Sequence, residues 1–73
     1  MLTLAEIEKR IKPFKGRLHR ETRRLFGNPT YSLWWEQGEW ELNITENRVD
    51  RIRFRKIATT IIIGLEAQNA NSA

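Results

Sequence analysis

The chain has 73 residues, no cysteine and a net charge of +4, with 40% hydrophobic and 30% charged side chains. That is one domain at most, with a modest core, and it excludes a disulfide framework and any thiolate metal site. No stretch approaches the roughly 18 apolar residues of a membrane span, and Glu6 and Glu8 interrupt the N-terminal ten residues where a signal peptide needs its apolar centre; the expectation is a cytoplasmic protein that meets no membrane.

Residues 3–26 read as one long helix. Leu4, Ile7, Ile11, Phe14, Leu18 and Leu25 recur at spacings of 3, 4, 3, 4 and 7, a single stripe at helical period. Thr3 with Glu6 fits a capping box, and Gly27 followed by Asn28-Pro29 is a stop signal. Pro13 lies inside the run, where it removes a backbone bond and clashes with the preceding turn. Either one helix kinks there, or a short helix ends near Ile11 and a second begins with Pro13 in its first turn. The stripe keeps phase across Pro13, which favours the kink.

From Tyr31 the period becomes two. Tyr31, Leu33 and Trp35 alternate with polar or outward residues, as do Trp40, Leu42 and Ile44. A two-residue turn at Gln37-Gly38 pairs Trp35 with Trp40, Leu33 with Leu42 and Tyr31 with Ile44 on one face. A third strand is expected from about Arg48, with Ile52 and Phe54 facing the core and Arg51, Arg53 and Arg55 facing away. The loop before it is expected to span three residues (Thr45 to Asn47) or five (Thr45 to Val49), and Asn47 tolerates the left-handed conformation that the three-residue loop wants. Residues 57–65, IATTIIIGL, are β-branched and apolar and read as a fourth strand or an extension of the third. Three consecutive isoleucines, Ile61 to Ile63, imply burial on both sides. The domain is taken as residues 1–66, with 67–73 a disordered tail.

Charge is polarised along the chain. Eight of the thirteen Lys and Arg lie between Lys9 and Arg24, against the single acid Glu21, whereas Tyr31 to Glu46 holds four Glu and no cation. On a helical wheel Lys9, Lys12, Arg20, Arg23 and Arg24 lie opposite the apolar stripe with Lys15 and Arg17 flanking, and Gly16 leaves room for close approach. Several cations on one rigid surface suit a phosphate backbone; the plainer reading is a solvated polar face. The row Arg48, Arg51, Arg53 and Arg55, with Lys56, either supports that surface or forms a cross-strand ladder with Glu39 and Glu41, which the register favours. Trp34 points away from the expected core, where it could stack on a base or anchor a partner, or simply pack on arginine side chains. His19, the single histidine, has no second histidine or cysteine to work with, so neither a catalytic nor a metal role is expected. Glu36 and Glu39 flank the hairpin turn and read as surface charges. No phosphate loop, zinc spacing or nucleophile elbow is present, and neither enzyme activity, a cofactor nor a small-molecule substrate is expected.

The order of a helix followed by antiparallel strands resembles the first part of a double-stranded-RNA-binding domain. The likeness is architectural; the second, basic helix of that fold is missing, IATTIIIGL stands in its place, and no residue role carries over. The expectation is therefore an α+β, two-layer domain, a long N-terminal helix on a three- to four-stranded antiparallel sheet. An unpaired edge at Ile61 to Leu65, with Ile61 and Ile63 as contacts, would favour a homodimer. The favoured function is binding of DNA or RNA phosphates through Lys9, Lys12, Arg17, Arg20, Arg23 and Arg24, supported by Arg51, Arg53 and Arg55. The alternative is a protein-interaction module whose basic face docks an acidic partner, with Trp34 or the C-terminal strand as apolar anchor.

Overall fold

The computed structural model describes residues 1–14, 17–24 and 27–71, the side chain of Asn71 excepted. In chain order these form helix α1 (Leu4–Ile11), a 3₁₀ turn (Lys12–Phe14), strands β1 (Leu18–Arg23), β2 (Thr30–Gln37) and β3 (Trp40–Asn43), and helix α2 (Arg51–Asn71). The strands make one antiparallel sheet in the order β1-β2-β3, so the α+β class holds.

The capping box expected at Thr3 is formed. Thr3 Oγ1 accepts from the Glu6 backbone N–H at 3.2 Å, and the Thr3 N–H donates to Glu6 Oε1 at 3.2 Å. Bonds from the Thr3 backbone, then from its hydroxyl, hold the Glu6 carboxyl below its ordinary pKa.

The helix does not continue to residue 26. It ends at Ile11, Pro13 sits in the 3₁₀ turn, and residues 18–23 are a strand, so the long helix of the molecule is the C-terminal one. The reason is burial. Leu18 is the sole apolar side chain between Lys15 and Arg24, so a second helix would cover little core. As β1 the segment gains a full ladder with β2, Leu18 opposite Trp35 through Arg23 opposite Thr30, and still buries Leu18. The placements expected for Lys15, Gly16 and Leu25 lie outside the described residues.

The β2–β3 hairpin is present with a different register. Gln37 lies opposite Trp40 and Trp35 opposite Leu42, with Gly38-Glu39 as the turn. Gly38 takes φ +58 at the first turn position, as a type II′ turn requires; the expected turn would have placed Gln37 there at a steric cost. The two-residue shift keeps face parity but carries Trp40 and Leu42 past the helices, so both are exposed rather than core. It also sets Glu36 opposite Glu41 and leaves Glu39 in the turn. In the next loop Glu46, not Asn47, takes the left-handed conformation, with φ 62. The chain then rejoins the sheet at Val49, which exchanges two 2.8 Å backbone bonds with Tyr31.

Residues 51–71 form neither a third nor a fourth strand of the expected sheet. Asp50 starts a helix there: its Oδ1 accepts from the Arg53 N–H at 2.8 Å and its carbonyl from the Phe54 N–H at 2.9 Å. Phe54, Ala58 and Ile62 are buried, with Ile57, Ile61 and Leu65 beside them, a set that recurs at helical period. The isoleucine triplet is thus split, with Ile61 half-buried, Ile62 buried and Ile63 exposed. Ile52, expected in the core, is exposed. Residues 67–71, assigned to the tail, lie in the last turns of α2. The segment IATTIIIGL is thus part of a helix, where a strand was expected.

Leu2 donates its N–H to Thr59 Oγ1 at 2.9 Å and its carbonyl accepts from Arg55 Nε at 2.8 Å, while Arg10 reaches Glu66 at 3.4 Å. Residue numbers rise together along these contacts, so α1 and α2 run side by side in one direction. Both cover one face of the sheet, where Ile7, Phe14, Leu18, Tyr31, Leu33, Phe54, Ala58 and Ile62 make the core. The Tyr31 and Phe54 rings stack with centroids 5.1 Å apart. The other face of the sheet has no helix on it among the described residues.

Candidate functional site

The fold divides the expected basic surface into two ends. Lys9 and Lys12 close α1, and Arg17 precedes β1 with its carbonyl accepting from the Glu36 N–H. Arg24 follows the far end of β1, seven residues on from Arg17, which at strand rise is about 23 Å away. The strand also reassigns individual cations. Arg20 points to the helical layer, where it meets Glu8 at 3.0 Å and Thr22 Oγ1 at 3.1 Å. Arg23 pairs with Glu21 at 3.2 Å.

The three arginines of α2 do not all share one face and, among the described residues, make no ladder with Glu39 and Glu41. At about 100° per residue, Arg53 lies nearly opposite Arg51 and Arg55 around the helix. Arg55 is turned onto the Leu2 carbonyl, whereas Arg51 and Arg53 are exposed.

What the fold assembles instead is a cationic end. Arg24 and Arg51, far apart in sequence, line one open groove of about 500 Å³ with Asn28, Pro29, Tyr31, Asp50 and Ile52. Arg48, Arg53 and Lys56 lie within six residues of Asp50 and are exposed. Among the described residues none of Arg24, Arg48, Arg51, Arg53 and Lys56 makes an ion pair. The N-terminal end of α2 adds the positive pole of a long helix to the same region. Asp50 is the one acid in the groove, and its carboxylate is used by the Arg53 N–H. Arg48 and Lys56 belong to the arginine row expected from the sequence, but the signal that unites them with Arg24 is the N-cap at Asp50, which makes this the start of a helix.

The open sheet face carries a different group. His19 and Trp34 are direct cross-strand neighbours, and their rings stack at 5.5 Å and 15°. His19 Nε2 lies 3.1 Å from Glu36 Oε2, close enough for an ion pair but off the line of a hydrogen bond, so the nitrogen is enclosed without a directed partner. Trp34 is half-buried in this stack and is not seated among the arginines. The strand register places Glu21, Arg23, Glu36 and Glu41 on the same face as Trp34, with Arg23 paired to Glu21 and His19 to Glu36. Of the remaining expected contacts, Ile61 is half-buried against the core and Ile63 is exposed on α2.

Among the described residues no three His, Cys, Asp or Glu side chains gather as metal ligands, and no helix is long and apolar enough to cross a membrane. No family model matches the chain, and neither a curated protein nor a solved structure is found similar to it.

Proposed function

We propose that the protein binds the phosphates of a nucleic acid through the cationic end formed by Arg24, Arg48, Arg51, Arg53 and Lys56. The observation that carries this reading is the groove in which Arg24 and Arg51 face open space with no carboxylate paired to either. Unpaired guanidiniums at a helix N-terminus favour an anion, and each phosphate they neutralise releases counterions. Lys9, Lys12 and Arg17 form a second, weaker cluster at the other end. Arg20, Arg23 and Arg55 hold the fold's own acids and a carbonyl, and have little left for a ligand. The mechanism is electrostatic positioning, for the groove presents no arrangement of side chains that reads base edges.

The element order, α-β-β-β-α, is shared with double-stranded-RNA-binding domains. That is a likeness of architecture, and it makes duplex RNA the first probe to include. A second reading has the same end docking an acidic protein, because Ile52 stands exposed among the arginines and would serve as an apolar anchor.

The test is a titration of labelled duplex RNA, duplex DNA and single strands at about 50 and 200 mM salt, where counterion release has a large effect. The proposal expects binding that Arg24→Glu with Arg51→Glu abolishes and that Lys9→Glu with Lys12→Glu weakens only slightly. Equal losses from the two pairs, or no binding at the lower salt, would overturn it.

A further inference from the structure

Tyr31 differs from every other residue that lines the groove at the start of α2. Arg24, Asn28, Asp50, Arg51 and Ile52 are exposed and form the rim, whereas Tyr31 is 6% exposed and forms the floor. Its ring is held by the stack on Phe54. Its hydroxyl makes no hydrogen bond among the described residues. A phenol buried to this degree ordinarily has a hydrogen-bond partner, and the groove is the open space from which one can reach it. Arg51 and Ile52 are also the first two residues of α2, so their backbone N–H groups have no acceptor within the helix. The groove thus collects guanidinium, phenol and helix-terminal N–H donors whose acceptors the described residues do not supply.

We propose that this groove holds a terminal phosphate, the monoester at the end of a nucleic-acid strand, with the Tyr31 hydroxyl donating to it from the floor and Arg24 and Arg51 from the rim. The proposal rests on the nucleic-acid reading and narrows it. Two properties of the site select an end over the backbone. The first is depth. A phosphate inside a strand is held between two sugars and lies along a surface, whereas a terminal phosphate is tethered on one side and can enter a recess to meet a donor at its floor. The second is charge and acceptor number. A monoester has three free oxygens and a charge of about −1.5 to −2, against two free oxygens and a single charge on a backbone phosphate. Two unpaired guanidiniums, a hydroxyl and the positive pole of a long helix match the monoester. Asp50, the acid in the groove, has Oδ1 turned to the Arg53 N–H at 2.8 Å. The unpaired cations of this end outnumber Asp50 and Glu46, its acids without an ion pair, so the local charge stays positive. Arg48, Arg53 and Lys56 are left to meet the backbone behind the end. A 5′ and a 3′ phosphate offer the same chemistry, and the test separates them.

The test is competition binding. Blunt duplexes of one sequence, as RNA and as DNA, carry a 5′ phosphate, a 3′ phosphate or hydroxyls at every end, and displace an internally labelled duplex at about 50 mM salt. One phosphorylated form should bind tighter than the hydroxyl-ended duplex by about tenfold or more, and that form names the end. Tyr31→Phe should cut this preference by about tenfold, the effect of one hydrogen bond to a charged group. That variant keeps the ring on Phe54 and removes a hydroxyl with no partner, so its urea melt should match that of the original. Arg24→Gln, at an exposed position, is the second variant and should reduce the preference as well. Equal affinity for the three kinds of end, or a preference that Tyr31→Phe leaves intact, would overturn the proposal while nucleic-acid binding stands. No binding of any duplex would overturn both.

Discussion

Replacing Ile52 and Phe54 one at a time asks directly whether residues 51–71 are helix or strand. In an extended strand the two side chains point to the same face and both belong to the core. In α2 they lie about 200° apart, with Phe54 fully buried against Tyr31 and Ile52 61% exposed. Truncating a buried phenylalanine costs about 3–5 kcal/mol, of which the ring stack contributes roughly 0.5–1.5. A surface residue away from such contacts costs within about 0.5 kcal/mol. For a domain of this size, total stability is of the order of 4–11 kcal/mol, so Phe54→Ala should leave a marginal protein and Ile52→Ala one like the original. Urea denaturation followed by circular dichroism measures both, and Phe54→Leu supplies a milder variant if Phe54→Ala does not fold. Comparable losses from Ile52→Ala and Phe54→Ala would refute the helical assignment and restore the strand.

Salt dependence gives a second number. Four unpaired arginines neutralising four phosphates of duplex DNA imply a slope of about −3.6 in log affinity against log salt, so a fourfold rise in salt costs about 150-fold. Removing Arg24 and Arg51 should halve that slope, as read by fluorescence anisotropy. Thr3→Ala should cost about 1 kcal/mol in a urea melt. Because the Glu6 pKa is depressed in the folded chain, its contribution is present above the unfolded carboxyl pKa and is lost as pH falls through the folded one; acid titration of a Glu6→Gln variant should lack that component. Gly38→Ala should cost about 1–2 kcal/mol from its positive φ alone, since a Cβ there meets nothing within 4 Å.

The amphipathic start and the β-hairpin were legible because each has a local cause: a capping box at Thr3, and alternation from Tyr31 broken by a glycine. The hairpin register turns on which residue can bear a positive φ, and that is Gly38 at the first turn position rather than Gln37. The two larger departures have one origin, a pattern that fits two periods. Leu18 continues the stripe of α1 by coincidence, and Arg51, Arg53 and Arg55 alternate as a strand would. In the first case the deciding quantity was how much apolar area the next turn could bury; in the second it was Asp50 as an N-cap ahead of Phe54, Ile57, Ala58, Ile61 and Ile62. β-Branched residues argue for strands only weakly when tertiary burial is available to a helix. The cationic groove was hidden for the same reason, because Arg24 and Arg51 meet only once the second segment is helical.

The bonds from Leu2 to Thr59 and Arg55 span separations of 57 and 53 residues. They join the first turn of the molecule to a helix made much later, and Ile7 has its place beside Phe54, Ala58 and Ile62 in one core. During synthesis, then, α1 and the sheet emerge with their apolar sides uncovered until residue 62 clears the ribosome. Folding is forced to be nearly all-or-none and late, and a stalled or shortened chain presents bare strands rather than a smaller stable unit.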